Sequence, residues 1–162
     1  MSGNLIKVGM ADLNAAKSPA SLITYGLGSC VGVTLYDERV KVGGLAHIML
    51  PDSKAAKEVG NPAKFADTAI PILIEKMEKL GASKGRMVAK IAGGAQMFSF
   101  SKQDPKKSIG QRNAEAVREK LKEEGIPIVV DETGGNFGRT IILHTDTGIL
   151  EIKTIGHGVK EL

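Results

Sequence analysis

Twenty of the 162 residues are glycine, where average usage of roughly 7% would supply about 11. They cluster as GLGSCVG at 26–32, GG at 43–44, AGGA at 92–95, TGG at 133–135 and GHG at 156–158, each beside or inside an apolar run. Glycines placed this way mark tight turns and close backbone approaches rather than a flexible linker. The chain therefore reads as short, closely packed strands. Its length and 42% hydrophobic content suit a single domain over 1–162, since a chain near this size buries roughly two-thirds of its unfolded surface.

Short apolar runs at 5–10, 21–25, 31–36 and 41–50 are expected strands, with DERV at 37–40 as the turn between the last two. PDSKAAKEVGN at 51–61 reads as an exposed loop. A helix is expected over 62–80, capped by Asn61 with Pro62 in its first turn. Its apolar face carries Phe65, Ala69, Ile70, Leu73, Ile74, Met77 and Leu80. Pro71 conflicts with that helix and predicts a bend or a late start near Thr68. MVAKIAG at 87–93 is a further strand. A second helix over 111–124 presents Ala114, Val117, Arg118 and Leu121 along one side and stops at Gly125. IPIVV at 126–130 is a strand, and RTIILHT at 139–145 turns into ILEIKTI at 149–155 as a hairpin. About eight strands against two helices, without regular βαβ alternation, give an α+β layered domain with mixed or antiparallel sheets and exclude a doubly wound sheet.

Several chemistries fall away on composition. Cys30 is the single cysteine, so neither an intramolecular disulfide nor a thiolate-rich zinc site can form. His47, His144 and His157 lack metal-ligand spacing, and no HExxH occurs. GLGSCVG resembles a phosphate loop only superficially, because VTLYDE after it reads as a strand instead of a helix. Adjacent Asp131 and Glu132 would point to opposite faces of a strand, and a solvated turn is the simpler reading. With 22 basic and 18 acidic residues the net charge of +4 is modest, and 4% aromatic content without Trp argues against base stacking. Lys102, Lys106 and Lys107 form a basic cluster that a solvated loop explains. No signal-peptide pattern opens the chain, and no segment approaches the roughly 20 apolar residues that cross a bilayer, so a cytoplasmic protein without membrane insertion is expected.

Cys30 is then the residue with chemistry to offer. The small residues around it leave room for a second chain to approach, and adjacent backbone N–H groups would stabilise an oxyanion formed when sulfur attacks a carbonyl or amide carbon. A histidine in the middle of the apolar run GGLAHIMLP could take the thiol's proton. If 31–36 and 41–47 form a hairpin, Cys30 and His47 face one another near its open end. Thr24, six residues before Cys30, could accept the other ring N–H. A lone cysteine is more often a small buried hydrophobe than a nucleophile, a core histidine held by a backbone carbonyl is an even alternative, and an ordinary strand threonine is equally economical.

TYGLGSCVGVTLYD at 24–37 followed by GGLAHIMLPDS at 43–53 resembles the CheD family of chemoreceptor glutamine deamidases. The resemblance continues through KFADTAI at 64–70, KIAGGAQMF at 90–98, SIGQRNAEAV at 108–117 and DETGGNFGR at 131–139. It implies a catalytic trio of Cys30, His47 and Thr24, no cofactor, and a layered fold related to the toxin-deamidase-like cysteine hydrolases. The implied reaction converts receptor glutamines on the cytoplasmic helical region to glutamate through a thioester, with receptor methyl esters as further substrates. The implied partners are methyl-accepting chemotaxis receptors and a CheC-type phosphatase acting on phosphorylated CheY. The alternative is a non-catalytic interaction protein that regulates such a phosphatase. A shallow groove is expected beside Cys30, with Gly26, Gly28, Gly93 and Gly94 as its floor and the 51–61 loop and Lys102, Lys106 and Lys107 as its rim.

Overall fold

The computed structural model describes residues 4–56, 58, 60–97 and 107–162. Its strands are β1 (Leu5–Lys7), β2 (Leu13–Lys17), β3 (Ser21–Leu27), β4 (Val31–Asp37), β5 (Val42–Ile48), β6 (Val88–Gly93), β7 (Ile128–Thr133), β8 (Arg139–His144), β9 (Leu150–Thr154) and β10 (Gly158–Glu161). The two α-helices are α1 (Ala66–Lys79) and α2 (Ile109–Glu123). One sheet runs β1-β3-β8-β9-β10 and the other β2-β5-β4-β6-β7. Each contains one parallel pair, β1 with β3 and β6 with β7, among antiparallel neighbours. This is the α+β architecture with mixed sheets and two main helices expected from the sequence.

Alternation along β4 and β5 sorts the molecule into three layers. Val31, Val33, Leu35, Ala46 and Ile48 pack with Ile70, Leu73, Met77, Val117 and Leu121 of the helices. Leu45, on the other face of the same sheet, packs with Cys30 and with Leu22, Leu27, Ile141, Leu143 and Ile152 from the first sheet. The β2-β5-β4-β6-β7 sheet is thus the middle layer, buried on both faces, which is why β4 and β5 are buried at every position.

Several expectations need correction. Residues 62–80 do not form one continuous helix. Asn61 caps a short 3-10 turn, Pro62–Lys64, by accepting from the Ala63 N–H, and α1 begins only at Ala66. That start lies two residues before Thr68, and the helix then continues through Pro71, where the ring removes one intrahelical donor. The 51–61 segment holds a 3-10 turn at Ser53–Ala55, and Ser53 Oγ donates to Asp67 Oδ2 at 2.6 Å. Arg118 faces solvent, and the buried face of α2 is Gly110, Asn113, Ala114, Val117 and Leu121. Asp131 and Glu132 sit within β7 instead of a turn, paired outward with Arg118 at 2.8 Å and Lys160 at 3.3 Å. Strands β2 and β10 were not anticipated.

Gly32 fixes how closely the two sheets meet. A Cβ there would lie 2.5 Å from Ile141 Cδ1 and 3.0 Å from Leu27 Cδ1, so the missing side chain is filled by the facing sheet. Gly32→Ala should destabilise the protein by about 1–3 kcal/mol through overpacking, measured by urea denaturation. Trimming the collision with Ile141→Val in the same chain should recover part of that loss. An additive double variant would show that the strain lies elsewhere.

Candidate active site

The three residues singled out in the sequence arrive on facing surfaces of the two sheets. In the β4–β5 ladder His47 stands opposite Gly32, so its ring projects from the middle sheet toward β3 over a position with no side chain. Cys30 lies two residues before Gly32 and packs on that same inner face, with Leu27, Leu45 and Ile141. Thr24 comes from β3 in the opposite sheet. Immediately after it the β3–β8 register slips, pairing Thr24 with Ile141 and Leu27 with Arg139. The extra residue is accommodated with Gly26 at φ +68°, a bulge that returns Leu27 to the inner face.

The hydrogen bonds of Thr24 assign the histidine's protons. Thr24 Oγ1 donates to the Val8 carbonyl at 2.7 Å and lies 2.7 Å from His47 Nδ1. A hydroxyl carries one proton. With that proton on Val8, the oxygen can only accept from Nδ1–H, which leaves Nε2 as the bare lone pair. His47 and Thr24 are both 0% exposed, and Nε2 is buried without a hydrogen-bond partner. An unmet buried acceptor costs about 1–3 kcal/mol; Thr24 is the ring's hydrogen-bond partner, and the Cys30 thiol is not one.

Burial sets the resting charges. It pushes the His47 imidazole below its ordinary range and pushes the Cys30 thiol up, opposed in part by the thiol's own backbone N–H. Both groups therefore rest neutral, as thiol and imidazole, in place of a standing thiolate–imidazolium pair. Cys30 is 8% exposed, so among the trio it is the member that solvent reaches.

Backbone contacts hold the Cys30 segment. Gly94 N–H donates to the Cys30 carbonyl at 2.9 Å and Ala95 N–H to the Gly28 carbonyl at 2.8 Å. Gly93, at φ +105°, passes so close that a Cβ would collide with the Cys30 carbonyl oxygen. Gly93 and Gly94 thus serve backbone packing behind the cysteine, and do not floor an open groove. Met97 covers the space above Gly28, 3.1 Å from where a Cβ would stand. With Gln96, Gly135 and Asn136 it lines a cleft of about 300 Å³. Lys102 and Lys106 of the expected basic rim lie outside the described residues, and Lys107 pairs with Glu115 at 2.8 Å.

His144 and His157 stand apart from the trio. His144 Nδ1 is 3.0 Å from Ser21 Oγ, and His157 packs against Phe137 with the rings tilted by 39° and their centroids 4.5 Å apart. Among the described residues no group of three or more His, Cys, Asp or Glu side chains is placed to hold a metal ion. Two residues escaped the sequence reading. Buried Arg139 donates to the Gly93 and Gly134 carbonyls at 3.2 and 2.9 Å, joining the turn behind Cys30 to the end of β7. Asn113, also buried, donates to the Ser29 and Met49 carbonyls. Both occur in the quoted family-like segments, but nothing in their spacing discloses which carbonyls they meet.

The chain matches the family described as "CheD chemotactic sensory transduction" over residues 49–154. It is 59% identical over 157 residues to "Probable chemoreceptor glutamine deamidase CheD" of Clostridium botulinum, covering 97% of each chain. The protein of the same name from Clostridium novyi is 55% identical over 162 residues, the whole of both chains. The family match begins after Thr24, Cys30 and His47, whereas the match to the Clostridium novyi relative spans them.

The resting charges make a measurable statement. The unfolded imidazole binds a proton near pH 6.5, while folded His47 binds its proton only at lower pH. Acidification through that window therefore protonates the unfolded chain first and removes stability, and the contribution is complete above about pH 6.5. NMR titration of His47 should give a midpoint below about 6.5 with the neutral form protonated at Nδ1. A midpoint above 7 would contradict the neutral resting pair.

Proposed function

The chain belongs to the CheD family, and from that premise we propose that it is a chemoreceptor glutamine deamidase with Cys30 as nucleophile, His47 as base and Thr24 as the group that orients the ring. One observation carries the assignment of roles. Thr24 Oγ1 accepts from His47 Nδ1–H across the two sheets, and the bare Nε2 is left on the inner face that Cys30 shares. Resting enzymes commonly hold such proton-transfer pairs long and tighten them on substrate.

The reaction follows from these positions. A glutamine side-chain amide entering beside Cys30 meets the sulfur as His47 Nε2 takes the thiol proton. The carbon–sulfur bond forms, and the negative charge moves to the amide oxygen, for which the Cys30 N–H is the available backbone donor. Protonated His47 returns its proton to the nitrogen, the carbon–nitrogen bond breaks and ammonia leaves a thioester. Water, losing a proton to His47, adds to that thioester and releases glutamate and the thiol. The sum is glutamine plus water giving glutamate plus ammonia, with no cofactor. A receptor glutamate methyl ester offers the same carbonyl with methanol as leaving group.

The substrate is a methyl-accepting chemotaxis receptor, met at its cytoplasmic helices, in keeping with the word chemoreceptor in the relatives' names. A CheC-type phosphatase is the further partner. The chain works as one toxin-deamidase-like domain over 1–162 in the cytoplasm, without nucleic acid and without membrane insertion. In support of the last point, no helix among the described residues is long and apolar enough to cross a membrane.

Incubation with purified receptor cytoplasmic fragments and peptide mass spectrometry tests the reading, since each converted glutamine gains about 1 Da. Cys30→Ala should fold and lose all conversion. His47→Ala should lose at least about 100-fold, the lower end of general acid–base contributions. Thr24→Val, which keeps the shape and removes the acceptor, should lose less. Full conversion by Cys30→Ala would eliminate the covalent mechanism, and an inert wild type that alters a CheC-type phosphatase would support the interaction-only alternative.

The rate should be flat across neutral pH, since the productive pair carries one proton between sulfur and imidazole. It should fall on the acid side only below about pH 6.5 and on the alkaline side only above the ordinary thiol range near 8.5, following the directions of the two shifts. A narrow optimum centred below pH 6 would contradict this assignment of the proton.

A further inference from the structure

Asn113 has no part in the steps above, yet it joins the two chain segments that carry them. It lies on α2 with 0% exposure. Its Nδ2 donates to the Ser29 carbonyl at 2.9 Å and to the Met49 carbonyl at 3.0 Å. Ser29 immediately precedes Cys30, and Met49 follows His47 by two residues. The last paired residues of the β4–β5 ladder are Val31 and Ile48. Beyond them the strands part, because the Met49 and Leu50 N–H groups turn to the Lys64 carbonyl at 2.9 and 3.0 Å. The Asn113 amide therefore acts as a side-chain rung one step beyond the ladder that holds His47 opposite Gly32, where the pairing of β4 with β5 no longer reaches Cys30.

The orientation of that amide is settled by chemistry, since the opposite one would press Oδ1 against two carbonyl oxygens. In the orientation present, Oδ1 is buried without a partner. The residue is thus held through its two donors, with its acceptor left unmet. Docking of α2 has other anchors. Ala114, Val117 and Leu121 bury into the helix-side core, and Ser108 and Gln111 close a capping box at its start.

We propose that Asn113 is a positioning residue of the deamidase. By tying the Ser29 carbonyl to the Met49 carbonyl, it sets the separation and angle at which the Cys30 sulfur meets His47 Nε2. This rests on the reading of Cys30 and His47 as nucleophile and base. A displacement of about 1 Å at reacting atoms can cost on the order of 100-fold in rate, so a single bridging amide is a sufficient control.

Two variants test it. Asn113→Asp keeps the shape and removes both donors, while Asn113→Ser keeps one shorter donor. Circular dichroism and thermal melts establish folding. In folded Asn113→Asp, kcat on receptor glutamine should fall about 10- to 100-fold with KM within about twofold, and Asn113→Ser should lose less. Alkylation of Cys30 by iodoacetamide, followed across pH, should show its midpoint moving down toward the ordinary thiol value as the released segment admits solvent. Wild-type kcat with an unchanged alkylation profile in either folded variant would overturn the proposal. So would a loss confined to KM, or failure of both variants to fold, which would make Asn113 a folding residue only. The alkylation profile needs no receptor, so it reports the geometry even if the substrate assignment fails.

Discussion

An imidazole buried between two sheets must have its N–H satisfied, and the bond from His47 to Thr24 is what satisfies it. Each partner comes from a different sheet, so the bond depends on the sheets meeting at one spacing and register. Thr24 is itself committed by donating to the Val8 carbonyl. The proton order runs in one direction, from His47 Nδ1 to Thr24 and from Thr24 to Val8, and that order leaves Nε2 bare. A carboxylate in place of Thr24 would bind the ring more strongly, but it would place a charge between two apolar layers, where burial costs far more than for a hydroxyl. The hydroxyl fixes tautomer and ring direction while keeping the layer neutral.

Neutrality has a consequence for Cys30. Burial holds its thiol protonated and holds His47 unprotonated, so the resting protein keeps no standing ion pair. Its sulfur is correspondingly less exposed to indiscriminate alkylation or oxidation, since the thiolate is the reactive form. In the proposed reaction, charge then appears only when a carbonyl carbon is present to receive the sulfur's electrons. The glycines serve the same end. Gly32 lets Ile141 and the opposite sheet close over the ladder beside His47, and Gly93 lets backbone reach the Cys30 carbonyl from behind. A side chain at Gly32 would collide with the Ile141 and Leu27 side chains, and one at Gly93 with the Cys30 backbone.

How much of this was legible follows the range of the interactions. The β4–β5 hairpin could be read locally, because DERV interrupts two apolar runs, and it alone brings Cys30 and His47 to one end of a ladder. The amphipathic spacing of α1 could be read as well, though its first turn was not, since Asn61 and Pro62 begin a 3-10 turn that only resembles a helix start. β2 was hidden because LNAAK lacks the β-branched and aromatic residues that mark a strand, and it forms by pairing with β5. β10 is exposed at every position and pairs at the sheet edge with β9, so it carries no burial pattern. Helical spacing places Arg118 on the inward side of α2, but Asn113 is the polar residue buried there. A buried amide there is intelligible only once the carbonyls of Ser29 and Met49, 84 and 64 residues away, are seen to need donors.

Those long-range polar contacts explain why motif and mechanism separate in this chain. The three residues proposed to react lie within a span of 24 residues, from Thr24 to His47, and a motif can display them. Their geometry is set from elsewhere. α2 supplies the amide that spans the parting strands, β8 supplies Arg139 and Ile141, and the turn after β6 supplies the N–H groups on the Cys30 segment. A fragment holding only the hairpin and β3 would keep the Thr24–His47 bond but lose the Asn113 amide and the Gly94 and Ala95 N–H groups. The proposed reaction tolerates displacements of only about 1 Å at its atoms, which gives these distant contacts with the Cys30 segment their importance.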